Sequence, residues 1–293
     1  MAQEDVFEQH RPLLFGLAYR MLGSVMDAED IVQEAFLRWH TAVTAEDAEP
    51  VRSPRTYLCT IVTRLCIDHL RSARAQRESY IGVWLPEPLV ATEKTAVSDS
   101  AELAESLTMA FLMVLERLQP VERAVFLLRQ VFDYEYAEIA RIVGKSEANC
   151  RQIMRRAREH LAAGRQRSSL SAEQQERLTR EFLRACMSGD LEGLMGMLAD
   201  DVVLYADGGG KRAAPRTPVH GPDTIARFFV GSLRAVPAGF TVHFVWVNGA
   251  PGLVSYVDGA PDTALALDWA GDRVRGIYIV RNPEKLRAVP PAT

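Results

Sequence analysis

The stretch YADGGGKRAAP, residues 205–215, places three glycines next to a lysine, which are residue types that bind phosphate in nucleotide-binding loops. A P-loop requires a glycine, four further residues and then Gly-Lys-Ser or Gly-Lys-Thr, so that backbone amides surround the phosphates and a hydroxyl reaches the metal ion. Here Tyr205 occupies the position of the first glycine, and Arg212 follows Lys211. The spacing therefore excludes a P-loop and leaves an active-site loop or a structural joint as interpretations.

The four cysteines of the chain show neither metal-binding nor redox spacing. No Cys-x-x-Cys pair occurs, and each cysteine lies in a segment with helical periodicity, so we predict small buried apolar side chains in a protein that stays reduced. The sequence carries no motif for a cofactor or a metal ion, and none is expected. The acidic start and the lack of an apolar run of about 20 residues predict a cytoplasmic protein without a signal peptide or membrane contact.

Charge is distributed unevenly along the chain, although the net charge is only −4. Residues 52–77 carry six positive and one negative side chain, and residues 145–167 carry seven positive and two negative ones. Two basic segments with helical periodicity are typical of a protein that contacts nucleic-acid phosphates at two places. Two solvated helix faces would give the same pattern, so charge alone leaves both interpretations open.

The elements that must position these residues divide the chain into a helical half and a mixed half. Apolar residues recur at helical spacing through residues 5–75 and again through 107–164. Residues 78–106 lack this periodicity and contain prolines and small polar residues, as linkers do. After Gly189 the pattern predicts a strand, a helix at 221–236 and four further strands, hence an α+β unit with a curved antiparallel sheet.

A helix-turn-helix motif is predicted in the second basic segment, YEYAEIARIVGKSEANCRQIMRRAREHL. Ile139, Ala140 and Val143 form the inner face of its first helix. Gly144 permits the turn, and Ser146 caps the second helix. The second helix of such a motif lies in the DNA major groove, with its N-terminal residues at the base edges and later basic residues near phosphates. The predicted DNA-contacting set is Glu147, Asn149, Arg151, Gln152, Arg155, Arg156 and Arg158.

The longer segment LERLQPVERAVFLLRQVFDYEYAEIARIVGKSEANCRQIMRRAREHL resembles region 4 of the extracytoplasmic-function sigma factors of bacterial RNA polymerase. Upstream, AYRMLGSVMDAEDIVQEAFLRWH and SPRTYLCTIVTRLCIDHLRSARAQRE resemble region 2 of that family. The resemblance implies a region 2 domain at 1–77, a linker at 78–106 and a region 4 domain at 107–167. It also implies that region 2 binds core RNA polymerase and melts the −10 promoter element, whereas region 4 binds the −35 element.

Charged residues of region 2 agree with these implied roles. Carboxylates on one helix form a surface complementary to a basic protein partner such as core polymerase. The polymerase-binding set is Asp27, Asp30, Gln33 and Glu34. Basic side chains at helical spacing can follow a DNA backbone. The predicted −10 set is Arg55, Arg64, Asp68, Arg71 and Arg74. Trp39 and Tyr57 could stack on opened bases, although aromatic residues at helical spacing are more often core.

Residues 168–293 resemble the SnoaL-like domain that one branch of this family carries, a cone-shaped α+β fold related to nuclear transport factor 2. The branch is marked by WLPEP at 84–88, DGGGK at 207–211 and NPEKL at 282–286. The resemblance implies a multidomain protein, two all-α sigma domains followed by an α+β cone that regulates them in cis. Lys211 and Arg212 could meet the linker near Glu87 or the acidic side of region 2. The predicted regulatory contacts are Trp84, Leu85, Pro86, Glu87, Pro88, Asp207, Gly208, Gly209, Gly210, Lys211, Asn282, Pro283, Glu284, Lys285 and Leu286.

Two other functions stay open at this stage. The cone could bind a small molecule and make the chain a ligand-sensing DNA-binding regulator, or it could catalyse a cyclase-type reaction with an acid or a histidine as general base. Candidate lining residues are Tyr205, Asp207, His220, His243, Trp246, Asp268, Trp269 and Tyr278. Because one fold hosts many functions, we assign no catalytic residue. The expected partners are core RNA polymerase and promoter DNA, with a small ligand in the cone left open.

Overall fold

The structure is a computed structural model that describes residues 3–45, 51–92, 106–162, 170–233 and 236–292, without the side chains of residues 3, 4, 73–78 and 162. Packing divides the chain into two compact units. The helical unit consists of Met1–Glu78 and Val114–Arg165, and the C-terminal unit consists of Ser79–Met113 and Gln166–Thr293. The described residues 79–92 and 106 of the segment that the sequence predicts as a linker therefore belong to the C-terminal unit.

Three long helices form the first part of the helical unit: α1 (Gln3–Leu22), α2 (Val25–Thr44) and α3 (Pro54–Glu78). Gly23, with φ 67°, permits the turn between α1 and α2. Ser24 then caps α2 by accepting a hydrogen bond from the Asp27 amide (3.2 Å). The helical pattern of residues 5–75 is confirmed in the described residues. Their shared apolar core includes Phe7, Leu14, Leu17, Val32, Trp39, Leu58 and Val62.

Four shorter helices follow: α4 (Met109–Leu115), α5 (Pro120–Gln130), α6 (Tyr136–Val143) and α7 (Glu147–Ala162). Helices α6 and α7 form the predicted helix-turn-helix, and Gly144 ends α6 in the left-handed region (φ 65°). The inner face of α6 differs from the prediction, because Ile139 and Ile142 are fully buried whereas Ala140 and Val143 are half-buried. Helices α5 and α6 pack against α3, so the helix-turn-helix and the first three helices belong to one unit.

The C-terminal unit contains a sheet in which the described strands follow the order β1-β4-β5-β6-β7-β2-β3. These strands are β1 (Val90–Ala91), β2 (Leu198–Asp207), β3 (Val219–His220), β4 (Phe240–Val247), β5 (Ala250–Val257), β6 (Ala260–Ala270) and β7 (Arg273–Val280). The unit also contains the helices α8 (Ala172–Ser188), α9 (Leu191–Met197) and α10 (Pro222–Leu233), together with α4 as far as Met113. The α+β class is confirmed. The sheet is mixed, since β2 pairs in parallel with β7, whereas the other described pairs are antiparallel.

The two faces of this sheet carry separate apolar clusters, because side chains alternate along each strand. On β6, Leu265 belongs to the cluster that helices α8, α9 and α10 cover, whereas Ala264 belongs to the cluster on the opposite face. Leu85, Met109 and Leu286 complete that second cluster. The segment before α5 and the C-terminal tail thus supply core side chains to the C-terminal unit.

Strand β1 fixes part of the predicted linker to the sheet edge through backbone contacts. Val90 lies opposite Val247 in an antiparallel pair with β4. Asn248 donates its backbone amide to the Leu89 carbonyl (2.8 Å), and its Oδ1 accepts the Leu89 amide (3.2 Å). The residues around WLPEP therefore have a defined position in this unit.

Candidate functional site

The predicted base-reading residues lie at the N-terminal end of α7. Ser146 Oγ accepts the Asn149 amide (3.2 Å) and so satisfies a donor of the first turn. Glu147 pairs with Arg151 one turn later (3.0 Å), and both side chains are about half exposed. Gln152 is exposed as well, and Asn149 is half-buried. The structure brings these polar groups together on the surface of the helical unit.

Basic side chains continue along α7. Arg155, Arg156 and Arg158 are all exposed. Arg155 pairs with Glu159 (2.9 Å), and Arg158 donates to Gln130 Oε1 (3.2 Å). Positive charges on the surface beyond the base-reading turn are suited to contacts with DNA phosphates.

The exposed face of α2 combines polar and apolar side chains. Asp30 and Gln33 lie between Met26 and Leu37, which are 51% and 53% exposed. These four positions are separated by four, three and four residues, so they share one side of the helix. We call these four residues, with the neighbouring Glu34, the α2 stripe. It can offer both apolar area and negative charge to a partner.

The carboxylates of α2 differ in their local partners. Glu34 pairs with Arg38 (2.7 Å), and Asp27 lies 3.6 Å from Nε2 of His69 on α3. Within the described part of the chain, Asp30 forms no ion pair. The predicted polymerase-binding set therefore divides into Asp30, Gln33 and Glu34 on the stripe and Asp27 beside α3.

Two residues of the predicted −10 set contact the helix-turn-helix segment. Arg64 donates from Nε to the Ile142 carbonyl (3.1 Å) and from Nη2 to the Arg141 carbonyl (3.2 Å). A cation is favourable there, because the last carbonyls of α6 lack helical partners and carry the negative end of the helix dipole. The Arg55 guanidinium lies 5.0 Å from the ring centroid of Tyr134. Both arginines thus join α3 to the segment that contains α6.

The other residues proposed for the −10 element have different environments. Asp68 and Arg71 are exposed and form a long ion pair (3.5 Å). The side chain of Arg74 lies outside the described residues. Trp39 is only 4% exposed and packs against Tyr57, with ring centroids 5.9 Å apart. Trp39 is therefore a core residue, in agreement with the second interpretation drawn from its helical spacing.

The fully buried carboxylate of Asp207, at the end of β2, is the centre of a polar network. Its Oδ1 accepts hydrogen bonds from the Tyr80 hydroxyl (2.6 Å) and the Gly209 amide (3.0 Å). Its Oδ2 accepts from the Leu85 amide (2.9 Å) and the Lys285 ammonium (2.8 Å). Four donors, one of them charged, compensate for removing this carboxylate from water.

Lys285 connects the tail motif to the WLPEP segment. Its ammonium also donates to the Leu85 carbonyl, and it lies 4.1 Å from the ring centroid of Trp84 and 5.0 Å from that of Tyr80. Aromatic faces and oxygen acceptors therefore surround a cation that is only 8% exposed. The motifs WLPEP, DGGGK and NPEKL meet in one site inside the C-terminal unit, which we call the Asp207 network.

Asn282 and a glycine complete the Asp207 network. The Asp207 carbonyl accepts the amides of Arg281 (2.7 Å) and Asn282 (2.9 Å), and Asn282 Nδ2 donates to the Tyr80 hydroxyl (2.9 Å). Gly209 has φ 58°, and a Cβ at this position would collide with the side-chain amide of Asn282. Close approach and backbone conformation both require glycine at position 209.

The lysine of DGGGK has a partner other than those considered from the sequence. Lys211 forms an ion pair with Glu284, and both side chains are about half exposed. This ion pair links the glycine loop to the tail. The remaining motif residues differ in burial. The buried ones are Pro86, Pro88, Gly208 and Leu286. Glu87 is half-buried, and Gly210 and Pro283 are exposed.

Tyr80 is the member of the Asp207 network that sequence reasoning missed. It precedes WLPEP by four residues, in a segment without periodicity. Burial raises its pKa above the ordinary tyrosine range, and the hydrogen bond to Asp207 raises it further. The hydroxyl therefore stays protonated as a donor. Its signal in the sequence was an aromatic residue at the point where a polar stretch gives way to the apolar residues IGVWL.

The predicted lining of the cone needs correction. Of the candidate residues, Trp269 belongs to the cluster under helices α8–α10. Tyr205 and Tyr278 stack with ring centroids 5.6 Å apart on the opposite face of the sheet. Asp268, another candidate, has a pKa that burial raises to about 6, although the positive charge of Arg275 acts to lower it. The alternation of β2 and β7 explains the error, since it directs both tyrosine rings away from the helices.

Other site types find no support in the described residues. Among them, no group of three or more His, Cys, Asp or Glu side chains is arranged to hold a metal ion. All four cysteines are buried, as predicted, and burial raises the pKa of the Cys186 thiol to about 12. No described helix has the length and apolar character that crossing a membrane would require.

Comparison with known families gives three matches along the chain. Residues 6–76 match Sigma-70 region 2, and residues 108–161 match Sigma-70, region 4. Residues 179–282 match the SnoaL-like domain. The first match falls on α1–α3, the second contains the helix-turn-helix, and the third contains the sheet from β2 onwards.

Similar proteins extend over nearly the whole chain. The ECF RNA polymerase sigma factor SigJ of Mycobacterium tuberculosis is 36% identical over 97% of this chain and 93% of its own length. The probable ECF RNA polymerase sigma factor SigI of the same organism is 31% identical over 98% of this chain and 97% of its own length. The crystal structure of M. tuberculosis SigJ matches with a TM-score of 0.77 and 32% identity over 96% of each chain.

Proposed function

The chain belongs to the extracytoplasmic-function sigma factors of bacterial RNA polymerase, and from this premise we propose which of its residues perform each task. A sigma factor directs the polymerase to promoters for transcription initiation and is not itself an enzyme. We place the protein in the cytoplasm, where RNA polymerase works. We propose no small ligand for the cone, because Tyr205 and Tyr278, two of the residues expected to line it, lie on the opposite face of the sheet.

The α2 stripe is the surface that we assign to core RNA polymerase. Met26 and Leu37 supply exposed apolar area, and Asp30 and Glu34 supply negative charge between them. Specific interfaces combine an apolar centre with charges that steer and align the partner. The complementary surface on the polymerase would be basic and partly apolar.

The first turns of α7 are the surface that we assign to the −35 element. Arg151 and Gln152 are exposed where a recognition helix presents side chains to base edges. Arginine pairs with guanine O6 and N7, and glutamine pairs with adenine N6 and N7. Arg156 and Arg158, further along, are suited to phosphate contacts that position the helix.

Binding of both promoter elements requires the helical unit to open. Arg55 and Arg64, assigned to the −10 element, contact the helix-turn-helix segment. A compact unit of this size has a radius of gyration of about 14 Å. Positions −35 and −10 are about 25 base pairs apart, roughly 85 Å of B-DNA. We propose that α3 and the helix-turn-helix separate when the protein engages polymerase and promoter.

The Asp207 network is the observation that carries the proposed regulation in cis. It anchors Tyr80 and Leu85, from the segment that follows α3, to Asp207 and Lys285 of the SnoaL-like domain. Met109 of α4 packs on the same sheet. Both sigma regions are thus connected to the SnoaL-like domain through segments that belong to its core. Stability of this network would then bias the arrangement that the sigma regions can adopt.

Run-off transcription tests the proposal. Core polymerase is combined with the full-length protein, and a promoter is selected from genomic DNA with that holoenzyme. Lys285→Met, which removes the buried cation, is expected to change transcript yield at equal holoenzyme concentration. Lys211→Met, which removes an exposed ion pair, serves as the matched control. Equal yields from the wild type and both variants would contradict regulation through the network.

Point substitutions are preferable to deletion of residues 168–293 in this experiment. Deletion would expose Leu85 and Met109, which are buried against the sheet of the C-terminal unit. The freed apolar segment would itself disturb the sigma regions or cause aggregation. A changed yield after deletion would therefore not identify the Asp207 network as its cause.

A further inference from the structure

The ring of Tyr136, the first residue of α6, lies close to two arginine side chains. Cζ of Arg129 is 5.5 Å from the ring centroid, and Cζ of Arg151 is 5.0 Å from it. Both distances fall within the roughly 6 Å over which a cation is attracted to the face of an aromatic ring. Arg129 belongs to α5 and Arg151 to α7, so this one ring connects all three helices.

The two arginines are held to different degrees. Arg129 is 29% exposed, and its Nη1 donates to the Tyr134 carbonyl (3.0 Å) and to Glu135 (3.1 Å). These acceptors lie in the turn directly before Tyr136, so Arg129 ties the start of α6 to α5. Arg151 is 57% exposed. The Tyr136 ring therefore contacts one arginine that is held within the protein, Arg129, and one that lies at the predicted DNA surface, Arg151.

Arg151 keeps donors available for a base while it contacts the ring. A guanidinium has five N–H donors in one plane, and Glu147 engages Nη2 (3.0 Å). The attraction of a cation to the face of an aromatic ring is electrostatic and requires none of these donors. Recognition of guanine uses two in-plane donors. The contacts with Tyr136 and Glu147 restrict the Arg151 side chain, and the second N–H of Nη2 can still pair with either Nε or Nη1 to meet a base edge.

We propose that Tyr136 is a positioning residue for promoter recognition, whose ring holds the Arg151 guanidinium in the orientation that reads the −35 element. Long flexible side chains lose rotamer freedom when they bind, and a preformed orientation lowers that cost. The first helix of the helix-turn-helix thus contributes to sequence discrimination without a base contact of its own. This inference rests on the proposed reading of the −35 element by Arg151.

The test measures base discrimination by the assembled holoenzyme. Binding is compared at one fixed salt concentration between the selected promoter and a set of single-base changes in its −35 element. Arg151→Ala first identifies the base pair at which Arg151 discriminates. Tyr136→Leu is expected to lower discrimination about 2–5-fold at that same base pair and to leave the other positions unchanged. Tyr136→Phe keeps the aromatic ring and is expected to retain discrimination within about twofold.

The double variant separates positioning from an independent effect. In the Arg151→Ala background, Tyr136→Leu should cause no further loss at that base pair, because its effect acts through Arg151. Losses that add, or an equal loss at every −35 position, would overturn the inference. If Arg151→Ala changes no base preference, the −35 role of Arg151 and this inference both fail. If Arg151→Ala changes base preference and Tyr136→Leu does not, the inference fails but the −35 role of Arg151 stands.

Circular dichroism shows whether Tyr136→Leu disturbs folding. A second measurement covers the case in which it does. Tyr136→Phe with fluorine in place of the ring hydrogens keeps the ring's shape but removes the negative charge of its face. This analogue is expected to lose discrimination as Tyr136→Leu does, whereas ordinary Tyr136→Phe retains it. Equal discrimination by the fluorinated and ordinary rings would overturn a role based on the ring's interaction with the cation.

Discussion

The ammonium of Lys285 lies 2.8 Å from the carboxylate of Asp207, and the two side chains are 8% and 0% exposed. Removal of one partner from a buried ion pair leaves the other charge without compensation. Lys285→Met should therefore lower the free energy of unfolding of the C-terminal unit by about 3–5 kcal/mol. Urea unfolding monitored by tryptophan fluorescence measures this loss, and Trp84 beside Lys285 provides a local probe.

Lys211→Met is the control for this prediction, because its ion pair with Glu284 is about half exposed. Its effect should stay below about 1 kcal/mol. Comparable losses for the two lysine substitutions would show that the Lys285–Asp207 pair contributes no more than a surface pair.

Gly209 is the next test of the same network, because it combines a positive φ with close approach to Asn282. Gly209→Val should destabilise the C-terminal unit by more than the roughly 1–3 kcal/mol of backbone strain, since a side chain also displaces the Asn282 amide. Gly196→Ala in α9 is a matched glycine substitution, with open space around the added Cβ. Thermal unfolding of both variants gives the comparison, and similar melting temperatures for the two would contradict the assignment.

Recognition of the −35 element predicts two classes of variant on α7. Arg151→Ala and Gln152→Ala should each change base preference and cost about 1–3 kcal/mol where their contact is bidentate. Arg156→Ala and Arg158→Ala should weaken binding to all sequences, and each should reduce the slope of log affinity against log salt by about 1, because one phosphate is no longer neutralised. Holoenzyme titrations at several salt concentrations distinguish the classes. Unchanged selectivity in the Arg151→Ala, Gln152→Ala double variant would refute the base-reading assignment.

The α2 stripe predicts that reversal of charge abolishes assembly with polymerase. Asp30→Lys together with Glu34→Lys should prevent association with core enzyme, because like charges would then face each other across the interface. The isolated protein should remain folded, since neither side chain is buried. Glu8→Lys, an exposed change on α1, is the control, and size-exclusion co-elution is the measurement. Assembly of the double variant as tight as that of the wild type would identify the stripe as a solvated surface.

The raised pKa of Asp268 predicts that the stability of the C-terminal unit depends on pH. Its folded-state pKa, about 6, lies above the ordinary value of 3.8 because the group is buried. The protonated form is therefore favoured by folding, and this contribution is lost as the pH rises from about 4 through about 6. Asp268→Asn should raise stability relative to the wild type at pH 7, by no more than about 3 kcal/mol, and the gain should vanish near pH 4. Urea unfolding of both proteins at pH 4 and pH 7 measures the gain, and an equal gain at the two pH values would contradict this prediction.

The helix-turn-helix shows how well sequence periodicity predicts local elements. Gly144 as the left-handed end of α6 and Ser146 as the cap of α7 are both confirmed. The inner face of α6 was misjudged, because Ala140 and Val143 were included and Ile142 was left out. The reason is that burial there also depends on packing against α3, which the pattern within one short helix does not contain.

Arg55 and Arg64 show where charge patterns stop being informative. The sequence indicates a basic helical surface, and both residues are on α3 as expected. Their contacts with the Tyr134 ring and with the last carbonyls of α6 join residues more than 70 positions apart. No local pattern records such a pairing, because it depends on how α3 and α6 pack.

The sequence by itself determined the long helices and the five long strands, although not the short elements α9, β1 and β3. It also determined the helix-turn-helix, the family and the three motifs that mark its branch. Each of these depends on residue type and on spacing within a few turns or strands. Only the tertiary structure decided that WLPEP, DGGGK and NPEKL share one buried site with Tyr80, centred on Asp207 and Lys285. The physical reason is that a buried carboxylate must collect its donors from whichever segments the fold brings within hydrogen-bond distance. Here those segments lie up to 205 residues apart in sequence, from Tyr80 to Lys285.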